Sequence, residues 1–465
     1  MASKKTRRDF LRKGAALTAG LVTAGAAQTP AAAAQPEKQE HSTKPPHDHK
    51  DYPRDRPGPG GPLGSPTDRG KLVAGRRGDA EPPVPVVAPD LPDLSYKVVD
   101  GFKEFHLTAE VVKRELLPGH VMNHWGYNGS FPGPTIQVVE GDKVRIVVHN
   151  NLPEPTALHL HGLELTNSMD GVPGLTQEPI MPGKTGVYEL TLHQTGTFFY
   201  HSHDAMQEAM GTVGLFIIHP KTNWQPPVDH DFALVTQEFR IKPAVNTPAS
   251  VLMDFNWFTL NGRSGPYSTP LVVRLGSRVR IRFLNFSTDD HHPMHLHGHT
   301  FWVTGTEGGR IPESAWVPGN TVLVAVAQVR EVEFVANNPG DWALHCHMFH
   351  HMMNHMIAPV GPGSRTRADG EFLDPRYKYP GYPQMQGMME HFGKEELQKI
   401  TGKKEASGMR EMWHMDIQGL FTVVRVLPPE LYDRVMAGKQ LPYGASVPGP
   451  APTGKDHGGM HMREH

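Results

Sequence analysis

The sequence predicts an all-β protein made of two Greek-key β-sandwich domains, and three observations lead there. Short runs rich in Val, Ile, Phe and Thr alternate with turns across a chain holding 48 Gly and 44 Pro, a pattern of strands punctuated by turns. A block then occurs twice. The first copy is Asn128-Gly129, Gly141 to Asn150 and His159-Leu160-His161-Gly162; the second is Asn261-Gly262, Gly276 to Asn285 and His295-Leu296-His297-Gly298. From Gly141 to His159 is 18 residues, and from Gly276 to His295 is 19. A repeat of roughly 130 residues built from short strands is the size of one sandwich. Each copy also closes alike, with a second His-X-His (His201-Ser202-His203 and His345-Cys346-His347) and a final strand opening Gly-Leu-Phe at Gly214 and Gly419.

Taken in order, the chain opens on a leader. A basic start with paired Arg7-Arg8, then Phe10-Leu11, a mildly apolar run from Ala15 to Ala27 and alanines 31–34 have the form of a twin-arginine export signal over residues 1–34. The run is too short and too poor in Leu, Ile and Phe for a membrane anchor. The expectation is an exported protein, periplasmic or extracellular, with no membrane partner. Residues 35–94 are rich in Pro, Gly, His and charge, as in Pro45-Pro46-His47-Asp48-His49, and read as a disordered linker. Domain 1 is expected over 95–222 and domain 2 over 223–428. Domain 2 carries a loop-rich insertion at about 360–415, before its last strand, with Met385, Met388, Met389, Met409 and Met412 and one helix from Gly393 to Thr401. Residues 429–465 form a tail with a short helix after Pro429.

Charge is balanced, 46 basic against 48 acidic residues, which gives no electrostatic case for nucleic acid. The outliers are 29 His, 21 Met and a single cysteine, Cys346. A lone thiol in an exported protein has no disulfide partner and needs another role. It stands between His345 and His347, with His351 five residues on and Met356 ten residues on. Thiolate, imidazole and a weak axial thioether are the ligands of a blue-copper site, and His292-Pro293-Met294-His295-Leu296-His297 supplies further imidazoles. Successive strand residues face opposite ways, so His345 and His347 can point to one side while Cys346 points to the other.

Together the four motifs His-X-His-Gly, His-Ser-His, His-Pro-X-His-X-His-Gly and His-Cys-His-X-X-X-His, with a methionine five further on, resemble the multicopper oxidases. The two-domain layout is similar to their bacterial laccase-like branch over about 95–428. That resemblance implies cupredoxin-like domains and four coppers per chain. It implies a type 1 copper on His292, Cys346 and His351 with Met356 axial, and a type 2 copper on His159 and His295. The type 3 pair would use His161, His201 and His347 on one ion and His203, His297 and His345 on the other. It also implies a homotrimer, each three-copper cluster closed between neighbouring subunits. Asp170 matches a position where the family keeps an acid near the type 2 copper, a proton donor; its other reading is a turn residue ahead of Gly171. Met352 stands where many relatives carry a carboxylate. Aligning the two copies places Ser202 opposite Cys346, Gln207 opposite His351 and Thr156 opposite His292, so domain 1 should hold no blue copper. The copper nitrite reductases, which hold theirs in the first domain, are disfavoured.

The function expected from this resemblance is oxidation of phenols or aromatic amines at type 1 copper, with dioxygen reduced to water at the cluster. The alternative is a cuprous oxidase for copper tolerance, motivated by Met206, Met210, Met352, Met353 and the methionines of the insertion. Thioethers favour Cu(I), and equally they fill cores. A non-catalytic copper carrier is the remote third reading. His149, His193 and His219 read as ordinary core or surface residues without a metal role; His350 and His355 either line the rim of the type 1 site or are simply exposed.

Overall fold

The computed structural model describes residues 83–241, 255–352, 392–414 and 418–445. The leader, most of the linker, the first part of the insertion, His355, the axial candidate Met356 and the end of the tail lie outside the described residues. The first domain runs through β1 (Lys97–Val99), β2 (Phe102–Leu117), β3 (His120–Tyr127), β4 (Ile136–Val139), β5 (Lys143–Asn150), β6 (His159–His161), β7 (Thr185–Thr191), β8 (Gly196–His201), α1 (Ala205–Met210) and β9 (Val213–His219). Two sheets form, β1-β2-β5-β7 with β3 beside β2, and β4-β9-β8-β6. The second domain has β10 (His230–Phe239), β11 (Trp257–Leu260), β12 (Leu271–Arg274), β13 (Arg278–Asn285), β14 (His292–Leu296) and β15 (Phe301–Thr306). It continues through β16 (Gly309–Arg310), β17 (Val317–Gly319), β18 (Thr321–Val324), β19 (Val329–Val335), β20 (Gly340–Cys346), α2 (Lys394–Thr401), β21 (Phe421–Leu427) and α3 (Pro429–Met436). Its sheets are β11-β10-β13-β19-β15-β16, with β17 beside β15, and β12-β21-β20-β14-β18.

The repeat seen in the residues is a repeat of topology. Parallel pairs β2–β5 and β4–β9 in the first domain correspond to β10–β13 and β12–β21 in the second. Both Asn-Gly pairs turn with positive φ, 51° and 69° at Asn128-Gly129, 50° and 69° at Asn261-Gly262, a backbone these two residue types tolerate. Alternation sets the faces: Val144, Ile146 and Val148 of β5 are buried while Lys143 is exposed. Each sandwich closes on its own core, around Phe105, Ile146 and Phe198 in the first and Phe258, Ile281 and Phe334 in the second.

Two expectations need correction. The linker does not run to 94, because Val86 and Ala88 are buried with Phe199, Val213 and Ala233. Val87 accepts from Ala233 N and donates to Asp231 O, extending the edge beyond β10. Composition averaged over the Pro-rich window hides these apolar residues. The tail is also part of the second domain as far as residue 445, since Val435 and Leu441 pack on Val272 and Leu427. In the insertion, the described part is scaffold. Its helix forms as expected, Ile400 packs beside Leu117 and Tyr267, and Met409 is buried with Phe421 and Val423. Met409 is therefore a packing residue; Met412 is exposed. Among the described residues no helix is long and apolar enough to cross a membrane.

Candidate metal centres

Strand β14 lies between β18 and β20, with Met294 opposite Cys346 and His295 opposite His345. Pleating then separates two chemistries. His292, Met294, Leu296 and Cys346 are buried toward the core, whereas His297 and His347 are exposed and His295 is half-buried on the other side. On the core side, Cys346 Sγ is 3.9 Å from His292 Nδ1 and 3.4 Å from His351 Nδ1, and the two Nδ1 atoms are 3.3 Å apart. A short helix (Phe349–Met352) turns the chain so that His351 returns to this point, where its ring stacks on Phe258. The expected type 1 residues are thus brought together, Met356 excepted because it lies outside the described residues. Burial pushes the Cys346 thiol up to about 12, so it is a neutral thiol until a cation displaces its proton.

The outer side of β14 and β20 carries His295, His297, His345 and His347. His297 Nε2 is 3.0 Å from His345 Nε2, and the rings of His295 and His347 are 5.2 Å apart. The first domain repeats this on β6 and β8, where His159 pairs with His201. His161 Nδ1 is 3.3 Å from His201 Nε2, and the His203 ring is 5.3 Å from that of His159. Tautomers are set by carbonyls: Nδ1 donates to Asp170 O in His159 (2.6 Å), Ser202 O in His201 (2.6 Å), Asn320 O in His295 (2.8 Å) and Cys346 O in His345 (2.8 Å). Each Nε2 is left without a proton, its lone pair the form a metal needs. Among the described residues no hydrogen bond or ring contact joins a histidine of the first-domain set to one of the second-domain set, and the potential metal groups are separate. Gly298, at φ 69°, shows why glycine follows the motif: a Cβ there would lie 2.4 Å from the Trp342 ring.

Multicopper oxidase family models match residues 109–223 and 238–363, together just over half of the chain. The chain belongs to the multicopper oxidase family. It is similar to copper resistance protein A of Pseudomonas syringae pv. tomato, 45% identical over 254 residues that cover 44% of this chain and 41% of that protein. To the dihydrogeodin oxidase of Aspergillus terreus it is 40% identical over 247 residues, 45% of this chain and 38% of that one. A solved blue copper oxidase from Nitrosomonas europaea shares 30% identity with a TM-score of 0.49, covering 54% of this chain and 80% of that one. The chain spans between 32% and 43% of the length of these and other curated relatives.

Copper fits the donors of this multicopper oxidase. The core set offers one thiol and two imidazoles converging from three directions, the donor set of a trigonal blue-copper site. The rear nitrogens of those imidazoles face buried carboxylates, His292 Nε2 at 3.2 Å from Glu238 and His351 Nε2 at 3.1 Å from Asp290. Such partners hold the ring and keep the proton on Nε2, so that Nδ1 faces the metal. Burial and the nearby Asp290 push the Glu238 carboxyl well up. Burial raises Asp290 too, but contact with His351 and His292 holds it below the usual range.

Neither carboxylate was among the expected residues. Asp290 carried a usable signal, an acid two residues before His292. Glu238 carried only a weak one, a charge in the apolar run of β10. Glu208 was also missed, although in the aligned copies it stands opposite Met352. It lies 3.7 Å from His201 Nδ1, and burial beside Asp204 pushes its carboxyl up to about 7. Asp170 has both of its expected features: its carbonyl holds His159, its carboxylate is 3.6 Å from the same nitrogen, and it precedes Gly171, where a Cβ would strike Leu158 O.

The neutral histidines make the metal-free protein acid-sensitive. Burial lowers His201 to about 3 and His161, His292 and His345 to about 4. Unfolded, each has a pKa of about 6.5 and takes up protons that the folded protein refuses. The stability they contribute is complete above about pH 6.5 and is lost as pH falls toward the folded values. Urea midpoints of metal-free protein should therefore drop steadily from pH 7 to 4.5; a flat profile would mean that these rings are protonated in the fold.

Proposed function

We propose that the chain is a laccase-like oxidase of the bacterial two-domain branch, taking electrons singly from phenols or aromatic amines and passing them to dioxygen. The observation that carries this reading is the end of β20, where Cys346 turns into the core site while its neighbours His345 and His347 turn to the outer one, so that the peptide bonds on either side of Cys346 join the two. Copper bound at these positions would supply one-electron acceptance in the core and four-electron reduction of dioxygen to water outside. Cys346, through its two flanking peptide bonds, is the covalent path between the sites. The Asp170 carboxylate would serve as the proton donor for the oxygen chemistry, a role supported by its Oδ1 lying 3.6 Å from His159 Nδ1. The roles of type 1, type 2 and type 3 ligands are those given above.

The two separated histidine sets support a homotrimer, with the first-domain set of one subunit facing the second-domain set of its neighbour in a ring of heterologous contacts. Export through the twin-arginine leader would place the protein in the periplasm or outside the cell.

A second reading, a cuprous oxidase for copper tolerance, is favoured by the exposed Met206 on α1 and by the likeness to copper resistance protein A. Oxygen uptake by copper-loaded protein separates the two, comparing a simple phenol with Cu(I) under matched conditions. Faster turnover with the phenol is expected. A strong preference for Cu(I) would replace the laccase reading with the cuprous one, and no uptake by protein that holds four coppers would leave a carrier.

A further inference from the structure

We infer that Gln207 is a positioning residue for His201 and His203, doing in the first domain, without a metal, what the copper-binding core site does for His345 and His347 in the second. The inference rests on the copper reading above. The three residues aligned with the type 1 ligands do meet in the fold. Thr156 Oγ1 and Ser202 Oγ each donate to Gln207 Oε1 at 2.7 Å, and the two hydroxyls are 3.3 Å apart. This triangle repeats, in shorter bonds, the one made by His292, Cys346 and His351. All three residues are buried, Ser202 and Gln207 completely.

The amide orientation is unambiguous. Gln207 Nε2 donates to Pro155 O at 2.7 Å and to Glu154 Oε1 at 3.1 Å, and both partners can only accept. The backbone of Gln207 is fixed as well: its N–H is capped by Asp204, and its carbonyl accepts from Thr212 Oγ1. Gln207 therefore ties the loop before β6 to Ser202, the residue whose peptides carry His201 and His203.

In the second domain a copper ion on Cys346, His292 and His351 would hold the corresponding peptide. In the first domain hydroxyls and an amide stand where those donors would be, and the outer side chains project from the three-residue run His201-Ser202-His203, whose middle side chain is anchored by Gln207 and Thr156. Loss of the Gln207 carbonyl leaves two buried hydroxyls without their acceptor and frees Ser202 to rotate. The histidines on either side then lose their common aim, and groups that orient metal ligands from behind are worth about 10- to 100-fold in metal affinity.

The test is copper content and spectroscopy on the full-length protein loaded with copper, comparing wild type with Gln207→Met, Thr156→Val and Thr156→Ser. Gln207→Met and Thr156→Val should keep the blue absorption of the second domain at wild-type intensity. Their outer copper should be bound about 10-fold more weakly or worse, with the near-ultraviolet signature of the coupled pair lost. Thr156→Ser, which restores the hydroxyl, should match wild type. A merely structural role would lower blue intensity and outer copper together. An unchanged ratio of outer to blue copper in Gln207→Met, or in Thr156→Val should Gln207→Met not fold, overturns the inference. Wild type that holds blue copper and nothing more overturns the proposed function itself, and this inference with it.

Discussion

Cys346→Ser is expected to remove the blue colour and the oxygen uptake together, leaving the fold in place. The reason lies in how little else the core site has. Cys346 is fully buried, with Sγ within 4 Å of two imidazole nitrogens, and it is the chain's single thiol. Serine is shorter, ionises far less readily and is a poor ligand for a soft ion, so the electron entry and the path through β20 fail at one atom. The first domain already displays the product of such a change: Ser202 occupies the matching position, satisfied by hydrogen bonds, with no donor set for copper around it. Fold survival is expected because a serine at 346 would find His351 Nδ1 as a partner, so a buried hydroxyl is not stranded. Visible absorption, oxygen uptake and far-ultraviolet circular dichroism, measured on one preparation, decide it. A variant that stays blue and active would remove Cys346 from the metal site.

The features legible in the residues are those that recur locally. Alternation in Lys143–Asn150 and Arg278–Asn285 marks strands, and the matched spacing to His159 and His295 marks two copies of one sandwich. The alignment of Thr156, Ser202 and Gln207 with the second-domain donors follows from that repetition. The illegible features are pairings between distant segments. Glu238 and His292 are 54 residues apart and nothing near either announces the other. Val86 is buried by strands of both domains, information absent from its Pro-rich surroundings. The arginines at 278, 280 and 282 alternate with apolar residues, as on a strand with one wet face. All three are buried because carboxylates from β10 and β19 and the Trp224 ring cover them.

That covered face gives the second large effect: Glu333→Gln is expected to destabilise the protein by about 3–5 kcal/mol, the range for breaking a buried ion pair from one side. Glu333 has no solvent exposure and accepts from Arg278 at 2.6 and 2.8 Å, from Arg280 at 2.7 and 3.0 Å and from Arg310 at 2.5 Å. Asp231 and Glu331 complete the lattice through Arg280 and Arg282, and Thr197 of the first domain donates to Glu331 at 2.6 Å. An amide at 333 would leave four guanidinium groups with two carboxylates and would turn an NH2 toward one of them. Acid should reveal the same charge. Burial alone would raise Glu333, but Arg310, Arg280 and Arg278 outweigh it and hold the carboxyl well below the usual range. Its contribution is therefore complete above the unfolded value of about 4.3 and is lost as pH falls through the folded value. Urea midpoints at pH 7 and pH 3.5 test both parts: a large loss at pH 7 in the variant, and a gap between variant and wild type that is smaller at pH 3.5, below the unfolded value. Because none of these residues touches the candidate metal sites, blue absorption per folded molecule should be unchanged, which separates loss of scaffold from loss of chemistry. A cost under about 1 kcal/mol, ordinary for an exposed pair, would mean that the lattice is wet and that other contacts between the domains, such as Arg114 to the Asn261 and Gly262 carbonyls and the packing of Phe199 and Val213 with Ala233, hold them together.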